Sequence, residues 1–322
     1  MRHRLPIVLA AVLLLAAACG DDTADTTTTT PTTQATTTTA APATVTIVGD
    51  DGVTSEITDA SRIVSLSGDL TEILFALGEG DRVVAIDVTT TFPEEATALP
   101  VIGFAQALAP EPVLAFTPTV VLANELTAPA EAIQQIRDTG IPVVVLNTGG
   151  SFDAVGHKIR TVAEIVGAAE AGEALATQVE AEIQAAVDLA ATASTTPRVA
   201  FIYSRGPQLL LLFGLGMGTN PMIEGANAVD VGADSGVFGA VPLSAEALVA
   251  AAPDVIVLPQ SGLDALGGVD ALVDVVPGVA ETPAGENGAF LAYDEAYFFN
   301  LGPRTGQALE EFIRDLYPGI AD

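Results

Sequence analysis

Residues 108–123 read LAPEPVLAFTPTVVLA, and residues 243–258 read LSAEALVAAAPDVIVL. Each runs from a leucine through two small or turn-forming residues to a glutamate. An apolar stretch, a proline and a β-type apolar run then follow. This order predicts a short helix with a glutamate in its first turn, a proline stop and a buried strand. The two copies begin 135 residues apart, well beyond the period of about 20–50 residues of a tandem array. They therefore predict two lobes of similar build. Any αβ unit in an Ala/Val-rich chain looks alike, so a second echo is needed. It comes from NPMIEGANAVDV (220–231), which follows the same order of turn, helix, stop and apolar run as DLTEILFALGEGDRVVAI (69–86).

From Thr44 onward, strands and helices alternate. RIVSLSG (62–68), RVVAIDV (82–88), VVLAN (120–124) and PVVVLN (142–147) read as strands, with helices at DLTEILFALG (69–78) and APAEAIQQIRDTG (128–140). In the first helix Asp69 is placed as N-cap, Glu72 at the capping-box position and Gly78 at the C-terminus. Mostly apolar strands alternating with helices predict a parallel sheet covered on both faces. Residues 152–193 break the rhythm, with no proline and apolar residues near a helical period. They predict a connecting helix of up to forty residues, about 60 Å long, with a kink expected near Gly167–Gly172. A second αβ lobe then starts at RVAFIY (198–203). The expected fold class is α/β: two α/β lobes, each with a mainly parallel sheet, joined by one long rigid helix.

The N-terminus, MRHRLPIVLAAVLLLAAACG, has a basic start, an apolar run and small residues up to Cys19. It reads as an export signal, too short for a comfortable membrane span. Cys19 is the single cysteine, so no intramolecular disulfide is possible. Its place resembles a bacterial lipoprotein cleavage site, although Ala16 stands where leucine is usual. Acyl chains on Cys19 would hold the protein at a membrane surface without a spanning helix. Residues 20–43 carry no large apolar side chain and read as a solvated tether. The expected organisation is signal peptide 1–18, lipidated cysteine and tether 19–43, N-terminal lobe 44–150, connecting helix 151–195 and C-terminal lobe 196–322.

Removing Arg2 and Arg4 with the signal takes the net charge from −30 to −32 and leaves Lys158 as the single lysine. Such a field excludes nucleic acid as a natural partner. Serine-hydrolase chemistry finds no G-x-S-x-G, and the one histidine beyond the signal, His157, lies on the connecting helix, where a surface position is expected. Gly214 and Gly216 lack the third glycine of a dinucleotide loop, since Thr219 stands at that place. A zinc site would need histidines, carboxylates or thiols gathered together.

Several stretches in order, RIVSLSGDLTEILFALGEGDRVVAIDVTTTFP, LPVIGF, LAPEPVLAFTPTVVLA, FIYSRG, LSAEALVAAAPDVIVL and LGPRTGQAL, resemble the substrate-binding lipoprotein of a bacterial ABC importer. The resemblance covers about residues 44–320, and within the class it is strongest to haem (hemin) binders, with cobalamin and ferric-siderophore binders as relatives. It implies a non-enzymatic receptor, monomeric and lipid-anchored at the outer face of the cytoplasmic membrane, cell-surface or periplasmic. Its partners would be an ABC permease with its ATPase and a macrocyclic ligand, with haem as transported ligand and no catalytic cofactor. Small lobe motion on binding is expected, because the connecting helix resists wide closure.

The resemblance assigns Glu111 and Glu246 to the docking of permease arginines, one per lobe; read from the residues alone, both equally complement the first-turn helix dipole. Tyr203 and Arg205, one residue apart on a strand, fall on one face. A guanidinium and a ferric ion both favour the phenolate, a known haem-iron ligand type, and the resemblance makes Tyr203 the axial ligand with Arg205 in support. In the first lobe the family's tyrosine or histidine after LPxVG is Phe104 here, which cannot coordinate. Iron would then be five-coordinate, or would borrow Met217 or Met222; alternatively the cleft holds another cargo, with Phe104 packed on a macrocycle face. Ser67, Gln106, Asn124 and Gln260, each closing an apolar run, are further cleft candidates. Tyr297 and Phe298 read as core.

Overall fold

The computed structural model describes residues 44–321. The expected signal, Cys19 lipidation and tether fall outside the described residues. A short antiparallel ribbon, β1 (Val45–Val48) and β2 (Thr54–Ile57), opens the described chain. The first lobe holds a sheet of β3 (Ile63–Ser65), β4 (Val83–Ile86), β5 (Val120–Ala123) and β6 (Val143–Val145), in the order β4-β3-β5-β6 and all parallel. Every residue of β3, β5 and β6 is buried, which is why these strands read as unbroken Val/Ile/Leu runs rather than alternating ones.

The second lobe is built on β7 (Arg198–Ser204), β8 (Leu210–Phe213), β9 (Val229–Asp230), β10 (Ala240–Pro242), β11 (Val255–Pro259) and β12 (Phe290–Tyr293). Its order is β10-β8-β7-β11-β12, with β9 beside β7. The quoted repeat lands on equivalent places. The helix Pro110–Leu114 leads into β5 beside β3, and the helix Ala245–Ala251 leads into β11 beside β7. The lobes differ at one side. β4 runs parallel to β3, whereas β8 runs antiparallel to β7 and carries β10 antiparallel to itself.

The expected forty-residue helix is corrected to two. Asp153–Val166 ends at Gly167, whose φ of 75° is left-handed, and Ala169–Ala190 begins two residues later. Glycine takes that conformation without a Cβ clash, and here it stops the helix rather than kinking it. The two helices pack side by side. A Cβ on Gly172 would lie 2.2 Å from the Ala163 Cβ. Arg160 reaches back to Glu173 at 2.7 Å and Glu180 at 2.6 Å. The segment leading into the second lobe is thus the 22-residue helix Ala169–Ala190, about 33 Å long. It packs on Thr305–Leu316 of the second lobe: a Cβ on Gly306 would meet the Glu182 Cβ at 2.5 Å.

The helix Gly68–Ala76 also departs from expectation. Ser67, not Asp69, holds the N-cap position, and residues 68 to 74 are buried on all sides. One face packs on the first-lobe core. The polar face meets the second lobe, so Asp69 and Glu72 are buried bridging groups rather than caps. Lys158, fully buried, donates from Nζ to Asp69 Oδ2 at 2.5 Å, to the Asn300 carbonyl at 2.7 Å and to the Thr148 carbonyl at 3.2 Å. An ammonium has three donors, and all three are used. Beside it, Arg304 binds both carboxylate oxygens of Glu72, at 2.9 and 2.8 Å. Its guanidinium also lies 3.9 Å from the Phe92 ring centre.

Removing one partner of a buried ion pair leaves an unpaired charge in low dielectric, at a cost of about 3–5 kcal/mol. Lys158→Met should therefore lower unfolding stability by about that amount in urea titrations. Lys158→Met combined with Asp69→Asn should recover most of the loss. A single variant within ~1 kcal/mol of wild type would contradict a load carried by this contact.

Candidate functional site

A cavity of about 640 Å³ lies between the lobes. Its first-lobe wall comes from the segments that follow β3, β4 and β5, where open α/β sheets present their ligand loops. These place Ser67, Asp87 and Asn124, with Phe104 and Gln106 from the segment before the helix Pro110–Leu114. The second-lobe wall is formed by the end of β7 with Tyr203 and Arg205, by Leu211 and Phe213 of β8, and by Met217 and Phe299. Most of the lining is apolar with a few convergent polar groups, as in small-molecule sites generally.

The phenol of Tyr203 is held by aromatic packing. Its ring stacks on Phe213 with centroids 5.3 Å apart and planes 11° from parallel, and it meets the edge of Phe299 at 6.4 Å. The Arg205 guanidinium sits 4.8 Å from the centre of the Tyr203 ring, confirming the shared face that strand alternation predicts. Arg205 does not act alone. It forms a two-pronged pair with Glu295, through Nη2 at 2.7 Å and through Nη1. Ser261 Oγ accepts from Arg205 Nη1 at 2.8 Å and donates to Glu295 at 2.6 Å.

This arrangement changes the expected acid–base state. Burial pushes the Tyr203 pKa up, and the Glu295 carboxylate pushes it further in the same direction. Arg205 opposes both without winning. The side chain is therefore a neutral phenol; Arg205 favours the phenolate as expected, but its influence is outweighed.

On the opposite wall the polar groups bind one another. Asn124 Nδ2 donates to Ser67 Oγ at 3.0 Å, and the Ser67 hydroxyl donates to Asp69. Asn124 Oδ1 accepts from the Leu126 amide at 3.1 Å and from Thr127 Oγ1 at 3.2 Å. Both candidates thus line the cavity and also hold its loops. Asp87, unmarked by the sequence reading, is 1% exposed. Burial raises its pKa to about 6, with Thr89 hydrogen bonds opposing the rise. The signal that selected Ser67 and Asn124, a polar residue closing an apolar strand, applies equally to Asp87.

Ser67, Phe104, Gln106, Asn124, Tyr203, Arg205 and Met217 line the one cavity. Gln260 lines an adjoining pocket of about 250 Å³ and bonds Asp264 at 2.8 Å, so it sits beside the main cavity rather than in it. Met222 is fully buried in the core, which removes it as an axial ligand. His157 is exposed and faces Asp50 at 3.3 Å, the surface position expected. Phe298 is core; Tyr297 lies over that core with its hydroxyl on Glu311 at 2.9 Å. Glu111 and Glu246 are exposed in the first turns of their two matching helices. Among the described residues no cluster of three or more His, Cys, Asp or Glu is placed to hold a metal ion directly. No described helix is long and apolar enough to cross a membrane.

Comparison with known proteins places this geometry. A solved structure, the periplasmic heme-binding protein RhuT from Roseiflexus sp. RS-1 in apo form, is 42% identical, with a TM-score of 0.78, covering 82% of this chain and 100% of that one. The uncharacterized ABC transporter substrate-binding lipoprotein YvrC of Bacillus subtilis is 29% identical over 84% of this chain and 85% of its own length. The vitamin B12-binding protein of Vibrio campbellii is 27% identical over 45% of this chain and 51% of that protein. Residues 63–297 match the model of a family described as periplasmic binding protein. With the match spanning both lobes and the cavity between them, the chain belongs to the periplasmic binding protein family.

Proposed function

We propose that this chain is the substrate-binding receptor of an ABC importer and that its cargo is haem, captured between the lobes and handed to the permease. The observation that carries the reading is Tyr203: a phenol braced by Phe213 and Phe299 under a fixed guanidinium, facing an apolar cavity. Phenolate oxygen is an established axial ligand type for ferric haem. The heme-binding description of the 42%-identical RhuT supports the same cargo. A receptor of this kind binds and releases without turnover, so the chain is not an enzyme.

The roles follow from the walls. Tyr203 supplies the iron-facing oxygen and gives up its proton when iron binds. Arg205, held by Glu295 and Ser261, offsets the charge left on that oxygen. Phe104, 40% exposed on the first-lobe wall, packs against the macrocycle without coordinating, so Tyr203 is the one protein ligand to iron and the opposite position is left to water, with Met217 packing beside the ring. Glu111 and Glu246 engage permease arginines, one per lobe, and a monomer suffices for that two-point contact. Cys19 carries the lipid that keeps the receptor at the outer face of the cytoplasmic membrane, as YvrC's description as a lipoprotein supports.

Visible spectra of the soluble domain titrated with hemin, cobalamin and a ferric siderophore test the cargo. Hemin should give high-spin ferric bands, and Tyr203→Phe should abolish them and weaken binding by at least about tenfold, or ~1.4 kcal/mol. Tight cobalamin binding without a hemin response would transfer the receptor to corrinoids, the reading that the vitamin B12-binding relative favours. Docking is checked separately in cells. Glu111→Ala with Glu246→Ala should cut hemin uptake several-fold, at about 0.2–1 kcal/mol per exposed ion pair, while hemin affinity in solution stays at the wild-type value. Unchanged uptake would remove the two glutamates from the interface.

A further inference from the structure

Asp87 follows β4 and lines the cavity between the lobes. Its side chain is divided in its duties. Oδ1 accepts from the Thr89 amide at 3.2 Å and the Thr89 hydroxyl at 2.7 Å. Oδ2 is buried and has no hydrogen-bond partner among the described residues. The neighbouring polar atoms are committed elsewhere. Thr89 Oγ1 also accepts from the Gly68 amide at 3.1 Å, and Ser67 and Asn124 are joined to each other and to Asp69. The first-lobe wall thus keeps one buried acceptor with unused capacity.

An orphaned buried carboxylate oxygen is unfavourable in the free protein, and such atoms persist where a ligand completes them. The raised pKa of Asp87 reports the same unmet need, caused first by burial. Asp87 lines the cavity but Oδ2 is shielded from solvent as it stands, so a donor reaches it once the carboxylate turns toward the cavity, and no water has then to be stripped from it.

We propose that Asp87 Oδ2 accepts a hydrogen bond from an O–H group of the bound cargo, making Asp87 a second anchoring residue on the wall across the cavity from Tyr203's lobe. The inference rests on the macrocycle-receptor reading above. The source that presents this chemistry is water coordinated to ferric iron on the side away from Tyr203, a position that Phe104 cannot take as a ligand; a ring carboxylic acid, the stronger acid of such a pair, would leave the proton on Asp87 instead of donating it.

Asp87→Asn separates binding from folding. The asparagine oxygen can keep both Thr89 bonds, while the free atom turns from acceptor to donor. Purified Asp87→Asn protein should melt at or above the wild-type temperature without cargo, and should bind hemin about tenfold more weakly. Asp87→Ala, which removes both oxygens, should show the same weakening. Titration with zinc protoporphyrin, followed by its fluorescence, identifies the donor, because it carries the ring acids but takes no sixth-position water. A loss confined to hemin supports the iron-bound water; an equal loss with both porphyrins would overturn it. Wild-type hemin affinity in both variants, or a fall in melting temperature that accompanies the weakening in both, would overturn the proposal. Absence of any hemin binding by the wild-type protein would instead overturn the haem reading, and the inference with it.

Discussion

The ammonium of Lys158 is the contact on which the geometry of the cleft depends. It is held by a carboxylate on the first helix of one lobe, a carbonyl just after that lobe's last strand and a carbonyl of the other lobe. A fully buried lysine is tolerable only because each donor has a partner. That requirement is directional: if the lobes shift, the Asn300 carbonyl leaves and a buried charge loses part of its shell. The Glu72–Arg304 pair, with Thr91 bonding Asp294 at 3.1 Å, adds cross-lobe contacts near the same seam. Burial still raises the Glu72 pKa despite Arg304, which marks how dry the seam is. In place of one long helix, a polar seam and a 22-residue helix packed on the second lobe tie the lobes together.

The seam and the cavity are chemically continuous. Asp69 takes Lys158 through one oxygen and the Ser67 hydroxyl through the other; Ser67 in turn takes Asn124. The polar part of the first-lobe wall is therefore the outer end of the same network that fixes the lobes. Groups tied into such a network have little freedom to reorganise around a ligand, so the wall is pre-shaped and its adjustable part is small. Rigid walls favour a rigid, planar guest over a flexible one.

Local pattern made the lobes legible and tertiary partners made the seam illegible. The repeated αβ unit resolves into the equivalent strands β5 and β11, because apolar runs between helices specify buried parallel strands. Tyr203 and Arg205 share a face by simple alternation, and the packing agrees. Asp69 and Glu72 sit where capping residues sit, and nothing within ten residues reveals their true partners, 89 positions away at Lys158 and 232 positions away at Arg304. Lys158, read alone on an amphipathic segment, looks like a solvated lysine. The helix break was half visible: glycines marked the place, but only the reversal of the chain explains why Gly172 must lack a side chain opposite Ala163.

The state of Tyr203 bears on delivery as well as capture. A phenolate held permanently ionised by a bare guanidinium would grip ferric iron with no competitor. Here burial and Glu295 favour the proton on the oxygen, and Arg205 moderates that preference rather than reversing it, so under the proposed haem reading iron has to displace that proton. Under that reading proton and iron would compete for one oxygen, and the bond to iron would be weakened by the full cost of deprotonation. For a carrier that has to surrender its cargo, this competition works in favour of release. If a permease parted the lobes, water reaching Tyr203 would return the proton, and the aromatic bracket of Phe213 and Phe299 would then hold a neutral phenol again, with no charge left behind to retain the iron.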